Sequence, residues 1–226
     1  SDVTQNGLVI DLNANLGVTV EDGDRVIQWL NQAPVSKGLV FEYKNRNHPD
    51  FGALSGRPGL EVSDPNLKGN NTITFYEDEL ICLEEDTFDY LSHGVGHTWF
   101  TVIEFSNHTR TANADLNAFF GNLTNGTPYS GIWCGITNDY KPWYGLRNGV
   151  TRTRDTPPNN SRLYAPAPIV KNQYYILSGR LEAGTGVRTM ELYINNILVG
   201  TEAHDVRTTI NPSVFAIGTE RDAYKD

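Results

Sequence analysis

The segment RTMELYI, residues 188–194, and the two asparagines after it constrain the fold more than any other stretch of this chain. Its apolar residues are Met190, Leu192 and Ile194, and its intervening residues are Thr189, Glu191 and Tyr193. This alternation has the period of a β-strand with one face in a core and the other in water. Asn195 and Asn196 follow, and asparagine tolerates the positive φ of a tight turn. The sequence therefore predicts a β-hairpin over residues 191–201.

Short runs of β-forming residues recur between turn signals along the rest of the chain. They are GLVIDL (7–12), RVIQWL (25–30), TITFY (72–76), TWFTVIEF (98–105), GIWCGI (131–136), QYYILSGRLE (173–182) and SVFAIG (213–218). Long loops are expected over residues 32–58 and 151–168, which are rich in Asn, Pro or Gly. This pattern predicts an all-β, two-sheet antiparallel sandwich or jelly roll. A length of 226 residues predicts one domain over 1–226.

The charge of the chain is uneven, which bears on its partners. The formal net charge is −9, yet residues 141–162 hold five basic side chains and one acidic side chain. Nucleic acid is a poor candidate partner, because phosphate binding draws on a basic surface across a whole domain. No apolar run approaches the roughly 20 residues of a membrane span. The basic segment is therefore a local feature that needs its own explanation.

That basic segment follows GIWCGI and begins NDYKPWYGLRNGV (138–150), where Lys141-Pro142 interrupts regular pairing. Some of its rings are therefore expected outside the core. Sugar rings stack their apolar C–H faces on Trp or Tyr, and their hydroxyl, carboxylate or sulfate groups accept hydrogen bonds from Arg. The alternative is that Trp143 packs under the long loop and the arginines are solvated. The predicted glycan-binding residues are Tyr140, Trp143, Tyr144, Arg147 and Arg152. Trp29, Trp99 and Trp133 lie inside strand patterns and are expected in the core.

Two clusters are candidate metal sites. The acidic residues are Glu77, Asp78, Glu79, Glu84, Glu85 and Asp86. They straddle a loop and a short strand, so a solvated surface is expected, with a structural calcium ion as the alternative. His93 and His97 have the i, i+4 spacing of a helical zinc site, but the glycines of HGVGH indicate a loop. No cofactor is predicted to be required.

Three ordered segments resemble one known family. They are GLVIDLNANLGVTVEDGDRVIQWLNQAP, LKGNNTITFYEDELICL, and YYILSGRLEAGTGVRTMELYINNILVGT followed by FAIGTERD. Their order resembles that of concanavalin A-like, LamG-type jelly-roll modules, and the match covers most of the chain. The family pattern ends with one more sheet strand, yet this sequence ends at TERDAYKD. Because an interior strand cannot be missing without exposing ladder hydrogen bonds, we expect that strand to come from outside these residues.

The resemblance implies a noncatalytic carbohydrate-binding or adhesion module of an extracellular, multidomain bacterial protein. A polysaccharide lyase or glycoside hydrolase is the alternative function, and a structural or protein-interaction domain is the third. Tyr144, Arg147, Asn148, Arg152 and His97 provide the residue types that a lyase uses as base and charge neutraliser. Retaining glycosidases of this fold carry E-x-D-x-x-E, because they need two carboxyl groups about 5.5 Å apart. That motif is absent, so no catalytic residue is assigned.

Overall fold

The computed structural model describes residues 6–43, 56–76, 78–106, 117–124, 128–150 and 156–219. The chain falls into two compact units, of which the first comprises Ser1–Glu84 with Ala216–Gly218 and the second comprises Glu85–Phe215. Each unit is described separately below. The single domain over 1–226 stays a prediction. Among the described residues, no helix has the length and apolar character of a membrane span.

The first unit is built from short antiparallel strands. They are β1 (Val18–Glu21), β2 (Arg25–Leu30), β3 (Val40–Glu42), β4 (Gly59–Asp64), β5 (Asn70–Thr74) and β6 (Leu80–Cys82), with 3₁₀ turns at Pro34–Ser36 and Pro65–Leu67. Their order in the sheet is β6-β3-β2-β4-β5, with β1 paired to β2. The dipeptide Asp22-Gly23 predicts a turn from the sequence, and both residues have positive φ between β1 and β2, as a tight turn requires.

Two expectations for this unit were wrong. The run GLVIDL (7–12) forms no strand, although the backbone N–H of Asp11 donates to Asn31 Oδ1 at 2.8 Å. The segment 32–58, predicted as a loop, contains β3, because Phe41 is fully buried and pairs with Trp29 of β2. Burial of Phe41 and pairing with β2 together stabilise this short strand, and neither is visible in a loop-like composition.

The second unit contains two antiparallel sheets. Its strands are β7 (His97–Ile103), β8 (Ala118–Gly121), β9 (Ser130–Ile136), β10 (Pro142–Asn148), β11 (Asn160–Tyr164), β12 (Tyr175–Leu181), β13 (Gly186–Ile194) and β14 (Ile197–Val206), preceded by a 3₁₀ helix at Glu85–Ser92. Strand β15 (Phe215–Ile217) begins at the last residue of this span, and its other two residues belong to the first unit. One sheet contains β11-β10-β9-β8, and the other has the order β14-β13-β12-β7. The predicted loop over 151–168 is wrong in part, because β11 lies inside it.

A single apolar core fills the space between these two sheets. Cys134, Tyr144 and Leu163 enter it from the first sheet, and Met190 and Leu192 enter it from the second. Three residues of RTMELYI were predicted to face the core: Met190 and Leu192 are fully buried, and Ile194 is partly buried and packs against the core. The hairpin turn has φ of 49° and 65° at its two asparagines, which is the signature of a type I′ turn. The predicted all-β, two-sheet antiparallel sandwich is confirmed.

Two histidines lie in this core in their neutral form. Nδ1 of His97 donates to the carbonyl of Leu91 at 2.9 Å, so its Nε2 accepts from the hydroxyl of Tyr144 at 2.6 Å. His204 is buried and lies 3.2 Å from the hydroxyl of Ser161. Burial lowers the pKa of each imidazole from 6.5 to about 4, and for His204 the neighbouring His97 adds to this effect.

We predict that acid weakens the fold through these two histidines. In the unfolded chain each takes up its proton below about pH 6.5, whereas in the folded chain each stays neutral down to about pH 4. Stability contributed by the neutral imidazoles is therefore complete above pH 6.5 and is lost as the pH falls toward 4, by about 3 kcal/mol for each histidine. Urea unfolding at several pH values between 7.5 and 4 measures this slope.

The matched variant is His97→Gln, which cannot titrate. Its stability at pH 7.5 is expected to be lower because it loses the imidazole hydrogen bonds. Between pH 6.5 and 4 its slope should be shallower than that of the wild type by about one proton per unfolding event. Equal slopes for the two proteins would show that His97 is not the group that titrates.

Candidate functional site

Strand β10 sorts the predicted site residues onto two sides of its sheet. Tyr144 and Leu146 point into the core, so Trp143 and Arg147 lie on the opposite side, here called the outer face. Direct partners in neighbouring strands share a face. Three rows of outer-face residues cross strands β9, β10 and β11. They are Gly135-Trp143-Tyr164, Trp133-Gly145-Arg162 and Gly131-Arg147-Asn160.

The expectation that the rings of Trp143 and Tyr144 are open to water is wrong. Both are 0% exposed. Tyr144 is buried because it points into the core, where it bonds His97. Trp143 is buried because it packs against Trp133 and Leu123 in a second apolar cluster. The pattern Lys141-Pro142 does not interrupt the sheet, since Pro142 begins β10 and pairs with Ile136.

The other predicted site residues lie elsewhere or outside the description. Tyr140 lies in the turn before β10 with φ of 64°, and the ammonium group of Lys171 is 4.7 Å from its ring centroid. Arg152 lies outside the described residues. Arg147 is on the outer face and is 6% exposed. Of the predicted set, therefore, only Trp143 and Arg147 share a face of the sheet.

The residue types proposed for a lyase are likewise separated. His97 and Tyr144 are hydrogen-bonded to each other on the core side of the sheet, whereas Arg147 is on the outer face. A lyase base and its charge neutraliser must contact the same sugar. Burial raises the pKa of Tyr144 well above its usual value, which opposes formation of the phenolate. Tyr144, His97 and Arg147 thus do not form one lyase site.

Glycines make room for the two tryptophans of the outer face. Trp133 is directly opposite Gly145, and Trp143 is directly opposite Gly135. A Cβ at position 145 would fall on Nε1 of Trp133, and one at position 135 would lie 2.5 Å from Cζ2 of Trp143. Each indole therefore lies across the strand beside it, and the two ring centroids are 4.4 Å apart.

Two guanidinium groups lie over the same indole. The guanidinium carbons of Arg147 and Arg162 are each 4.2 Å from the ring centroid of Trp133. The guanidinium carbon of Arg162 is also 5.1 Å from the centroid of Trp143 and 5.5 Å from that of Tyr164. We call Trp133, Trp143, Arg147 and Arg162 the tryptophan–arginine cluster. Cation–π contacts at such distances stabilise a partly desolvated arginine by about 1–2 kcal/mol.

The cluster is rich in hydrogen-bond donors. The indole N–H groups of Trp133 and Trp143 are buried and have no hydrogen-bond partner among the described residues. A buried donor without a partner costs about 1–3 kcal/mol. Strands β9, β10 and β11 contribute both arginines but no Asp or Glu. The cluster therefore places two indole N–H donors, which lack a partner among the described residues, beside two cations.

The expectation that Trp133 lies in a core is confirmed, since it is 1% exposed in the cluster with Leu123 and Trp143. Its contacts with the two arginines were not predicted, and Arg162 fell in a segment predicted as a loop. The segments GIWCGI and PWYGLRN each have a tryptophan two residues before a glycine, and this shared spacing could have indicated Trp133. When the two strands pair antiparallel, each tryptophan lies opposite the glycine of the other strand.

The two candidate metal sites of the sequence receive no support from the described residues. Within those residues, no group of three or more His, Cys, Asp or Glu side chains could hold a metal ion. His93 Nε2 lies 2.7 Å from the carbonyl of Ile210, and both ring nitrogens of His97 have protein partners. The side chains of Glu77 and Glu85 lie outside the description, so the calcium ion stays a prediction.

We predict that Gly145→Ala destabilises the protein by about 2 kcal/mol, because the new methyl group would overlap the indole of Trp133 and force it to shift. The matched control is Gly59→Ala in β4, where the nearest atom to a new Cβ is Oδ2 of Asp24 at 3.9 Å. That control should change stability by less than about 0.5 kcal/mol. Urea unfolding followed by tryptophan fluorescence measures both; equal unfolding midpoints for the two variants would contradict the close packing of Trp133 on Gly145.

Neither a protein-family model nor a curated protein sequence matches this chain significantly. Solved structures with a similar fold include the CBM40 of the IT-sialidase from Ruminococcus gnavus bound to α2,3-sialyllactose, at 17% identity over 60% of this chain and 73% of that one, with a TM-score of 0.37. Domain 4 of AbnA, a GH43 extracellular arabinanase from Geobacillus stearothermophilus, in complex with arabinotriose, is 14% identical over 82% and 69%, with a TM-score of 0.38.

An endo-1,3-β-glucanase from Streptomyces sioyaensis is 12% identical over 96% of this chain and 78% of that one, with a TM-score of 0.40. These likenesses concern the fold alone. The two antiparallel sheets described above agree with the two-sheet sandwich expected of a concanavalin A-like jelly roll. The finer LamG-type assignment stays a prediction.

Proposed function

We propose that this chain is a noncatalytic carbohydrate-binding module that takes an anionic glycan at the tryptophan–arginine cluster. The observation that carries the proposal is the placement of two buried guanidinium groups over one indole, on the side of the sheet that faces away from the core.

The charge of the cluster favours a carboxylate or sulfate. Because Arg147 and Arg162 are both 4.2 Å from one centroid, their guanidinium carbons are at most 8.4 Å apart. In the proposed mode, an anionic group of the ligand is attracted by both guanidinium groups. The planar guanidinium matches the two oxygens of a carboxylate in a bidentate pair. Uronic acids, sialic acids and sulfated sugars carry such groups.

The edge of the sheet provides the approach. Strand β11 is the edge strand, and its Tyr164 is 36% exposed and directly opposite Trp143. The Tyr164 ring is 5.5 Å from the guanidinium carbon of Arg162. In the proposed mode, the apolar face of a sugar lies against Tyr164 and its anionic group bonds Arg162. Tyr164 is more exposed than Trp133 and Trp143. The sugar therefore contacts Tyr164 first, and the indole N–H groups lie deeper.

The cellular context belongs to the same proposal. A glycan of this kind is met on cell surfaces and in extracellular matrices, and we propose that the module works outside the cell as part of a larger bacterial protein. The resemblance drawn from the ordered sequence motifs supports this context. The glycan partner and the extracellular site are therefore proposed together.

We predict that Arg162→Gln weakens retention on an anionic polysaccharide at least tenfold, because the variant loses the charge that pairs with the sugar. The measurement is affinity electrophoresis in gels containing polygalacturonate, alginate, heparin or, as the neutral polymer, dextran. Retention of the wild type should weaken as salt rises. Tyr164→Ala should also weaken retention, since it removes the exposed stacking ring. Circular dichroism checks that both variants are folded.

The matched control is Arg207→Gln, which removes an exposed arginine paired with Asp205 at 3.0 Å. It should migrate like the wild type in every gel. If Arg162→Gln and Arg207→Gln behave alike, or if no anionic polymer retards the wild type, the proposed site is wrong. Ultraviolet absorbance of an unsaturated uronate during the incubation would instead favour the lyase alternative. The absence of both retention and unsaturated product would favour a structural domain.

A further inference from the structure

The outer face of the other sheet, β14-β13-β12-β7, carries an open groove. The groove has a volume of about 250 Å³, and it is lined by Thr98, Ser178, Gly179, Arg180, Tyr193 and Asn196. These residues belong to β7, β12, β13 and the hairpin turn after β13. None of them belongs to the tryptophan–arginine cluster, which lies on the first sheet. The groove is therefore a separate feature of the second unit.

The register of three strands shapes this groove. Ser178 of β12 is directly opposite Phe100 of β7 on one side and Tyr193 of β13 on the other. Neighbouring strands lie about 4.8 Å apart, so the two aromatic residues begin about 10 Å apart across the small serine. Ser178 thus lies on the floor between two aromatic side chains, here called the walls, of which Tyr193 lines the groove and Phe100 lies beside its lining.

The polar groups of the groove include both donors and acceptors. Arg180 Nη1 lies 3.0 Å from Glu191 Oε2, and the hydroxyl of Tyr193 donates to the same oxygen at 2.9 Å. These two contacts lower the pKa of the Glu191 carboxyl, which remains an ionised acceptor. Asn196 adds an amide with both functions. The charges of Arg180 and Glu191 compensate each other, so this surface suits hydroxyl groups better than an anion.

The face beside the groove is unusually apolar for the outside of a sheet. Phe100, Val102 and Ile176 are 55%, 54% and 41% exposed. Val102 and Ile176 are direct partners, in the row next to that of Phe100 and Ser178. Contiguous exposed apolar side chains rimmed by polar groups are typical of binding surfaces. Their position next to two aromatic walls extends the contact along a chain of several sugars.

We propose that this groove is a second glycan-binding site, for a neutral polysaccharide. Sugar rings stack on Phe100 and Tyr193, and hydroxyl groups bond Arg180, Glu191 and Asn196. The inference stands on the residues of the second sheet and does not require the anionic site to exist. A module with both sites would link a charged glycan to a neutral one, each held on a different sheet.

Affinity electrophoresis with neutral polymers tests the second site. The gels contain mixed-linkage β-glucan, xylan, galactomannan or dextran. At least one polymer should retard the wild type. Ser178→Tyr fills the groove floor and Phe100→Ala removes one wall, so each should weaken that retention at least tenfold. Phe100 is exposed, and its replacement leaves the core intact. Val187→Ala is the matched control, since Val187 is 57% exposed on β13 away from the groove.

Three outcomes separate this inference from the proposed anionic site. Arg162→Gln should keep full retention on the neutral polymer, whereas Ser178→Tyr should keep full retention on the anionic one. Loss of neutral retention in Arg162→Gln would show a single shared site and overturn the inference. So would the absence of any neutral polymer that retards the wild type, or retention unchanged by both Ser178→Tyr and Phe100→Ala.

Discussion

The second unit depends on burial of alternate residues between its two sheets. Alternate side chains in the middle of β9, β10 and β13 enter an apolar core together with Leu181 of β12, and Tyr144, Met190 and Leu192 are fully buried there. Burial of a large apolar side chain contributes about 1.5–3 kcal/mol, and a slip of one residue would move the whole apolar set to the wrong side. The core therefore fixes which residues of each strand must face away from it.

The outer faces follow from that constraint, and they differ in chemistry. On the first sheet, glycines at 131, 135 and 145 leave space that two indoles and two guanidinium groups occupy. On the second sheet, Ser178 between Phe100 and Tyr193 leaves an open groove. On the first sheet the glycines accommodate buried indoles beside two arginines, whereas on the second sheet the serine lies in an exposed groove whose charges balance.

The same alternation explains why the residues of NDYKPWYGLRNGV do not act together. Consecutive aromatics in a strand must point to opposite sides, so Trp143 and Tyr144 cannot share a ligand on one face. Tyr144 became part of the core network with His97, and Trp143 became part of the tryptophan–arginine cluster. Reading the segment as a loop allowed both rings to face the same way. Placing it in a strand separates them.

The sequence by itself determined the elements whose physics is local. Alternation in RTMELYI, the asparagine pair of the hairpin and the Asp22-Gly23 turn depend on neighbours in the chain, and they predicted the strands, the turns and the all-β class. Tertiary structure decided what depends on partners distant in sequence. Arg162 reaches Trp133 only because β11 pairs with β10, and the groove exists only because β7 pairs with β12. Pairing register sets these contacts, and it arises from the shared burial of several strands.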